Sequence, residues 1–185
     1  MSRMIHEHDR PDRAVIGTVG EPGQRTFFLQ ARSGRRRHSI AIEKQQAELL
    51  ADRIDSLLDD LVAQGEISAE QAQTQPLLMD DKPLDAPIEE DFRAGLLGLG
   101  WNAEPQLLVI EAFDSEAELE AAPDLESDDP TGPDTLRIRL PAASAREFAR
   151  RARAVVAAGR PSCPFCQLPL DPDGHICPRA NGYRR

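Results

Sequence analysis

The sequence predicts an α+β fold in which two β-β-β-α units, related by a pseudo-twofold axis, precede a small C-terminal zinc-binding tail. Short apolar runs separated by turn residues are followed by a segment whose apolar residues have helical spacing. The same order of segments then occurs a second time. Three cysteines and a histidine lie close together near the C-terminus. These observations define the expected fold class.

The first unit spans residues 1–65. Apolar runs predict strands at 14–19, 26–30 and 37–42, with turns at 20–24 and 33–34. A helix is expected over 43–64, because one face collects Ala47, Leu50, Ala51, Ile54, Leu57, Leu58 and Leu61. Gly65 is a natural helix end. A linker follows over 66–91, with a short helix expected at 68–73 and core anchors at Leu77, Leu78 and Met79.

The second unit spans residues 92–160. Strands are expected at 95–101 and 107–112, and Ile138 and Leu140 follow Ile40 and Ile42 by 98 residues. The same offset relates six apolar helix positions of the first unit to Ala145, Phe148, Ala149, Ala152, Val155 and Val156. One constant offset over a strand and its helix indicates a duplication. The acidic loop 114–134 interrupts this unit, and its composition predicts disorder.

The charge is unevenly distributed around a net value of −10. Ten acidic residues and no Lys or Arg lie between Glu111 and Asp134, whereas residues 135–185 contain ten Arg and three acids, a balance of 10 − 3 = +7. The two tracts either neutralise each other or leave a basic face for an acidic partner. The overall charge disfavours nucleic acid as a partner, so we expect another protein. The oligomeric state stays open.

Residues 1–13 are polar, and no stretch has the apolar length of a membrane span. We therefore expect a cytoplasmic protein that does not interact with membranes. An odd number of cysteines without an export signal also makes a disulfide framework a poor explanation for the cysteine cluster.

The tail, residues 161–185, contains the clearest motif. Cys163 and Cys166 lie two residues apart in a turn, and an Asp-Gly turn allows the chain to return to His175 and Cys177. Two residues two apart on an extended segment point to the same side. Three cysteines and one histidine suit tetrahedral Zn²⁺, and four protein ligands leave no open position, which favours a structural ion. A redox dithiol and unligated cysteines are the alternatives.

Other candidates are weaker. Gly17, Gly20 and Gly23 suggest a phosphate loop, but they lie between two strands and fit a hairpin better. His6 and His8 are expected to be ordinary polar residues, and His38 to face away from Ile40 and Ile42. No catalytic or cofactor-binding residues are assigned, and an enzyme is disfavoured. The best surface for an anionic partner consists of three arginines on the second helix and three near the C-terminus, although a solvated helix face is the preferred interpretation. The six are Arg146, Arg150, Arg153, Arg179, Arg184 and Arg185.

The motifs resemble those of a known family. Residues 17–31, Glu43-Lys-Gln-Gln46 and the ending from Cys163-Pro-x-Cys166 to Cys177-Pro-Arg-x-Asn-Gly-Tyr-Arg184 are similar to an uncharacterised actinobacterial family, domain of unknown function (DUF) 3090. The resemblance implies a zinc-ribbon-like or treble-clef-like tail and an actinobacterial, cytoplasmic setting, and it implies no activity. Zinc-ribbon knuckles often have Gly after the second Cys, where this chain has Gln167.

Three functions are consistent with these patterns. The preferred hypothesis is a non-enzymatic adaptor with a zinc-stabilised interaction tail. The second is an enzyme or small-ligand-binding protein with a pocket between the two repeats. The third is nucleic-acid binding through the arginine-rich C-terminal part.

Overall fold

A single mixed sheet of seven strands forms the frame of the protein. The computed structural model describes residues 3–115, 123–159, 163–168, 170, 175, 177 and 179. Its strands are β1 (Ile5–Asp9), β2 (Arg13–Val19), β3 (Thr26–Ser33), β4 (Arg36–Ile42), β5 (Phe92–Asn102), β6 (Leu107–Asp114) and β7 (Thr135–Leu140). Two helices, α1 (Lys44–Ala63) and α2 (Ala142–Ala157), and one 3-10 turn (Pro76–Leu78) complete the regular structure.

The strands lie in the order β1-β7-β6-β5-β4-β3-β2. Strands β2 to β4 form one antiparallel meander and β5 to β7 another. The two meanders join through a short parallel contact, in which Ile40 pairs with Phe92 and Ala41 with Arg93. Strand β1 pairs in parallel with β7. One sheet therefore runs through both predicted units.

The β-β-β-α order predicted from the sequence occurs twice, as β2-β3-β4-α1 and β5-β6-β7-α2. The pseudo-twofold symmetry is not confirmed. A twofold axis normal to the sheet would place equivalent strands side by side and antiparallel. Here the central pair is β4 and β5, the third strand of one segment and the first of the other, and they are parallel. Strand β1 was not predicted.

Both helices pack on one face of the sheet and against each other. Six of the seven α1 positions predicted to face the core are buried, and the seventh, Leu57, is half-buried against it. The six are Ala47, Leu50, Ala51, Ile54, Leu58 and Leu61. Their counterparts in α2, Ala145, Phe148, Ala149 and Ala152, are buried as well. Helix α1 begins where the Gln46 side chain accepts the Glu43 N–H at 2.8 Å, and it ends before Gly65, whose φ is +76°.

The linker follows the surface, but its anchors differ from the prediction. Leu77 is 96% exposed and Met79 52%, whereas Ile67, Ala72 and Leu84 are buried. Leu84 packs on the second face of the sheet with Val15, Phe28 and Ala41. The helix expected at 68–73 is a single turn. An apolar run in the linker does not by itself identify the residues that become buried, because burial requires a part of the body with room for the side chain.

Two arginines hold the linker on the body. The Arg13 guanidinium donates to the Asp80 carboxylate at 2.6 Å and to Asp85 at 3.0 Å. Arg151, which is only 4% exposed, donates to the carbonyl oxygens of Ile16 at 3.0 Å and Lys82 at 2.6 Å. Strand β2, helix α2 and the linker therefore share one polar junction.

The acidic loop is ordered where the structure describes it, contrary to the expected disorder; residues 116–122 lie outside the described residues. Its Glu126 and Asp128 carboxylates accept hydrogen bonds from Arg139 at 2.6 Å and Arg137 at 3.0 Å. The acidic tract and the first arginines after it thus neutralise each other locally, the first of the two interpretations offered by the charge pattern.

Replacing Leu50 by Ala should destabilise the protein by about 2–5 kcal/mol, because a buried leucine leaves a cavity. Leu49→Ala is the matched control, since Leu49 is 58% exposed on the same helix, and it should change stability by less than about 0.5 kcal/mol. Urea unfolding measures both. Equal losses would contradict the assignment of the buried helix face.

The Asp80 junction predicts an acid-dependent loss of stability. The hydrogen bond from Arg13 holds the pKa of Asp80 below its ordinary value of 3.8. A carboxyl whose pKa is depressed on folding stabilises the fold above the unfolded value, and this contribution is lost as the pH falls through the folded pKa. The difference in free energy of unfolding between wild type and Asp80→Asn should therefore shrink as the pH falls from about 5 to about 2.

The measurement is urea unfolding at a series of pH values, with Asp81→Asn as the control because Asp81 is the exposed neighbouring carboxylate. Parallel stability profiles for wild type and Asp80→Asn would show that the junction has no such role.

Candidate metal centre

The C-terminal tail brings together the four residues predicted from their spacing. Cys163, Cys166, His175 and Cys177 each offer one ligand atom, and these atoms all lie within 4.8 Å of one another. Cys163 and Cys166 come from the beginning of the tail and His175 and Cys177 from further along it, so the cluster joins two separate parts of the tail. Cys163 and Cys177 are buried, being 3% and 8% exposed.

A tight turn orients the first two cysteines. The Gln167 N–H donates to the Cys163 carbonyl oxygen at 2.8 Å, and the Cys163 N–H donates to the Leu168 carbonyl oxygen at 2.8 Å. Gln167 adopts the left-handed region with φ +62°. This is the position at which the sequence departs from the usual glycine, so the glutamine tolerates a conformation that glycine adopts more readily.

Backbone N–H groups in this turn point at the sulfur atoms. The N–H of Cys166 contributes most to holding the pKa of the Cys163 thiol below its ordinary value; burial opposes this effect and the Phe165 N–H adds to it. Burial raises the pKa of Cys166, while the Leu168 N–H acts in the opposite direction. The turn therefore favours the thiolate at Cys163, and a thiolate is the form that binds a metal.

The sulfur distances are those of separate thiols. Cys163 Sγ and Cys177 Sγ are 3.8 Å apart, far beyond the S–S bond of about 2.05 Å. Cys166 Sγ lies 3.1 Å from His175 Nε2, so this nitrogen faces the cluster. His175 Nδ1 is buried and has no hydrogen-bond partner among the described residues.

Around the cluster, two apolar side chains point outward. Phe165, between the first two cysteines, is 61% exposed, and Leu168 is 51% exposed. Arg179 donates to the Phe165 carbonyl oxygen at 3.2 Å and so holds the far end of the tail against the turn. The tail thus combines a buried polar centre with an exposed apolar rim.

The arginines of α2 are engaged within the chain. Arg146 pairs with Asp55 at 2.7 Å and Asp59 at 2.6 Å, and Arg150 with Asp81 and Glu147, both at 2.7 Å. Arg153 binds the α1 carboxylates Asp52 and Asp55. The pairs of Arg146 and Arg153 join the two helices, and the Arg150–Asp81 pair joins α2 to the linker. All of them use the charges on which an anionic-partner surface would depend.

The glycines that suggested a phosphate loop form the hairpin between β2 and β3, in which Gly20 and Gly23 have φ near +100°.

A cleft of about 710 Å³ lies near the β2–β3 hairpin, between residues of the two β-β-β-α segments. Its charged side chains include two pairs, Arg93 with Glu43 and Arg153 with Asp52. Acids and bases are therefore intermixed in this cleft.

Fold and site together define an α+β protein with a cysteine–histidine cluster in a C-terminal tail. The chain belongs to the family described as protein of unknown function (DUF3090), whose model matches residues 6–177 and so includes all four residues of the cluster. No curated protein and no solved structure matches the chain. Among the described residues, neither helix has the length and apolarity needed to cross a bilayer.

Gln167→Gly should stabilise the turn by about 1 kcal/mol, because a left-handed backbone costs a non-glycine residue roughly that much. Leu168→Gly is the control, since no positive φ is recorded for that residue, and it should loosen the turn. Rates of limited proteolysis within the tail measure the local opening. Faster cleavage of Gln167→Gly than of wild type would contradict the prediction.

Proposed function

We propose that Cys163, Cys166, His175 and Cys177 bind one structural Zn²⁺ ion. The observation that carries this proposal is the convergence of all four ligand atoms within 4.8 Å. With a Zn–S distance of about 2.3 Å, two sulfurs of a tetrahedral site lie about 3.8 Å apart. The Cys163–Cys177 separation of 3.8 Å fits this value. The 3.1 Å between Cys166 Sγ and His175 Nε2 needs only a small opening.

Four protein ligands leave no coordination position for water or substrate, so the role is structural and not catalytic. Residues 163–185 contain few large apolar side chains: Phe165, Leu168, Leu170, Ile176 and Tyr183. A segment this poor in apolar residues cannot build its own core, and a bound ion supplies the missing free energy of folding. Three cysteines kept as thiolates also fit the cytoplasmic setting that we propose.

Metal analysis of purified full-length protein should find zinc, and Cys166→Ser should lose one equivalent per chain. Phe165→Ser is the matched control, because this exposed neighbour is not a ligand and its replacement should retain the metal. Inductively coupled plasma mass spectrometry gives the stoichiometry. Unchanged zinc content in Cys166→Ser would refute the tail site.

We infer that the protein is a non-enzymatic adaptor in which the zinc-bound tail contacts another protein. Two observations support this role. Phe165 and Leu168 present apolar surface beside the closed site, a combination typical of an interaction surface and not of a reaction centre. The tail also has a small excess of basic residues, with Arg179, Arg184 and Arg185 against Asp171 and Asp173. The expected partner is therefore a protein with an acidic surface that includes an apolar patch.

The Phe165→Ser/Leu168→Ser double variant should keep its zinc and lose its partner. Leu49→Ser serves as the control, because it removes an equally exposed leucine from α1. Cross-linking in the source cells, followed by affinity purification of tagged full-length chains, identifies the bound proteins. One protein held by wild type and by Leu49→Ser, but absent from the double variant, is the expected result. Identical partners for all three chains would contradict the adaptor role.

A further inference from the structure

A second group of metal-binding side chains lies where the two ends of the sheet approach each other. His6 and His8 belong to β1 at one end, and His38 belongs to β4 near the other. The His8 ring reaches across to β3, where its Nδ1 lies 2.8 Å from Ser33 Oγ. The sheet must therefore curve strongly, and the histidines collect inside the curve.

The expectation that His38 faces away from Ile40 and Ile42 is wrong. Residues two apart on a strand share a face, so His38 lies on the face that these isoleucines bury under the helices. The register supports this placement, because His38 pairs with the fully buried Ala31. Likewise His6 pairs with Leu136, a core residue. The register therefore places His6 and His38 on the face of the sheet that carries the core.

Three ligand atoms converge in this group. Those of His6, His38 and Asp91 lie within 4.8 Å of one another. The His6 and His38 rings stack with centroids 4.0 Å apart and planes inclined by 26°. Asp91 is oriented by the Ser39 N–H, which donates to its Oδ2 at 2.7 Å. The same carboxylate offers an oxygen to the group that the two histidines form. A carboxylate held by a backbone donor is a typical metal ligand.

His8 supports the group from behind. It is fully buried, and its Nε2 lies 2.8 Å from His38 Nδ1. Each of its two contacts, Nδ1 with Ser33 Oγ and Nε2 with His38 Nδ1, requires one proton between the two atoms.

One arrangement of these protons satisfies the whole chain of contacts and leaves a ligand free. The His8 Nδ1–H donates to Ser33 Oγ, and the His38 Nδ1–H donates to His8 Nε2. His38 Nε2 then carries a lone pair. A histidine that donates through one nitrogen to a fixed acceptor and offers the other nitrogen is the usual form of a metal-ligating histidine.

We propose that His6, His38 and Asp91 bind a divalent transition-metal ion, with His8 and Ser33 as the residues that position His38. Two imidazoles and one carboxylate suit Zn²⁺ and its first-row neighbours and not Mg²⁺, which prefers oxygen ligands. Two ligand atoms on one Zn²⁺ ion are at most about 4.2 Å apart. Ligand atoms that lie within 4.8 Å of one another therefore need at most a small closure to share one ion. Three protein ligands leave a coordination position for water or another small ligand, unlike the closed tail site.

The test is isothermal titration calorimetry, in which Zn²⁺ is added to metal-free full-length protein. Wild type should bind two equivalents, one at each site. Asp91→Asn and His6→Ala should each bind one. Asn keeps an oxygen for the Ser39 N–H, so this variant retains the local fold. Glu90→Gln is the matched control because Glu90 is the neighbouring exposed carboxylate, paired at 3.9 Å with Arg93. It should bind two equivalents. Excess Mg²⁺ should not compete.

Cobalt(II) absorption separates this site from the tail. The tail site should give intense thiolate-to-cobalt charge transfer, which Cys166→Ser abolishes and Asp91→Asn leaves intact. Ser33→Ala should weaken the second Zn²⁺ equivalent by about 10- to 100-fold, since it removes the end of the positioning chain. A single equivalent in wild type that Cys166→Ser removes would overturn the proposal. So would a second equivalent that survives in both Asp91→Asn and His6→Ala.

Discussion

The face of the sheet that α1 and α2 cover is the feature on which the rest of the structure depends. A three-stranded meander with one apolar face is not stable while that face meets water. Here the two meanders share one sheet, so both helices lie side by side and a single core forms beneath them. Equivalent apolar positions, such as Leu50 in α1 and Phe148 in α2, face this core. The linker, the acidic loop and the tail attach to a body whose shape this burial sets.

Buried ion pairs lie on the other face of the sheet, the one that α1 and α2 do not cover. Glu111 is fully buried and Arg137 is 2% exposed, and they bind each other across β6 and β7. Arg137 also reaches Glu7 of β1 at 2.8 Å and Asp128 of the acidic loop at 3.0 Å. A buried charge is tolerated only when it is paired. This pairing explains why an acidic tract is followed by arginines: the loop lies over the sheet where those arginines emerge.

Patterns that depend on near neighbours could be predicted from the sequence. Helical spacing identified the buried face of α1, and cysteine spacing identified the tail cluster. Features that depend on contacts between residues far apart in the sequence could not be predicted. Strand β1 reads Ile5-His-Glu-His-Asp9 without apolar alternation, and it is ordered by pairing with β7, which lies far along the chain. Leu84 anchors the linker because the small Gly17 leaves room for it, a fact that no property of the linker itself reveals.

The tail is the centre of the proposed function, and its Cys163, Cys166, His175 and Cys177 converge as their spacing predicts. A segment with so few large apolar side chains cannot form a core of its own. A crystal of the full-length protein, measured on both sides of the zinc absorption edge, tests this most directly. The account predicts an anomalous peak enclosed by Cys163, Cys166, His175 and Cys177. A disulfide between two of these cysteines, or a cluster without a peak, would contradict it.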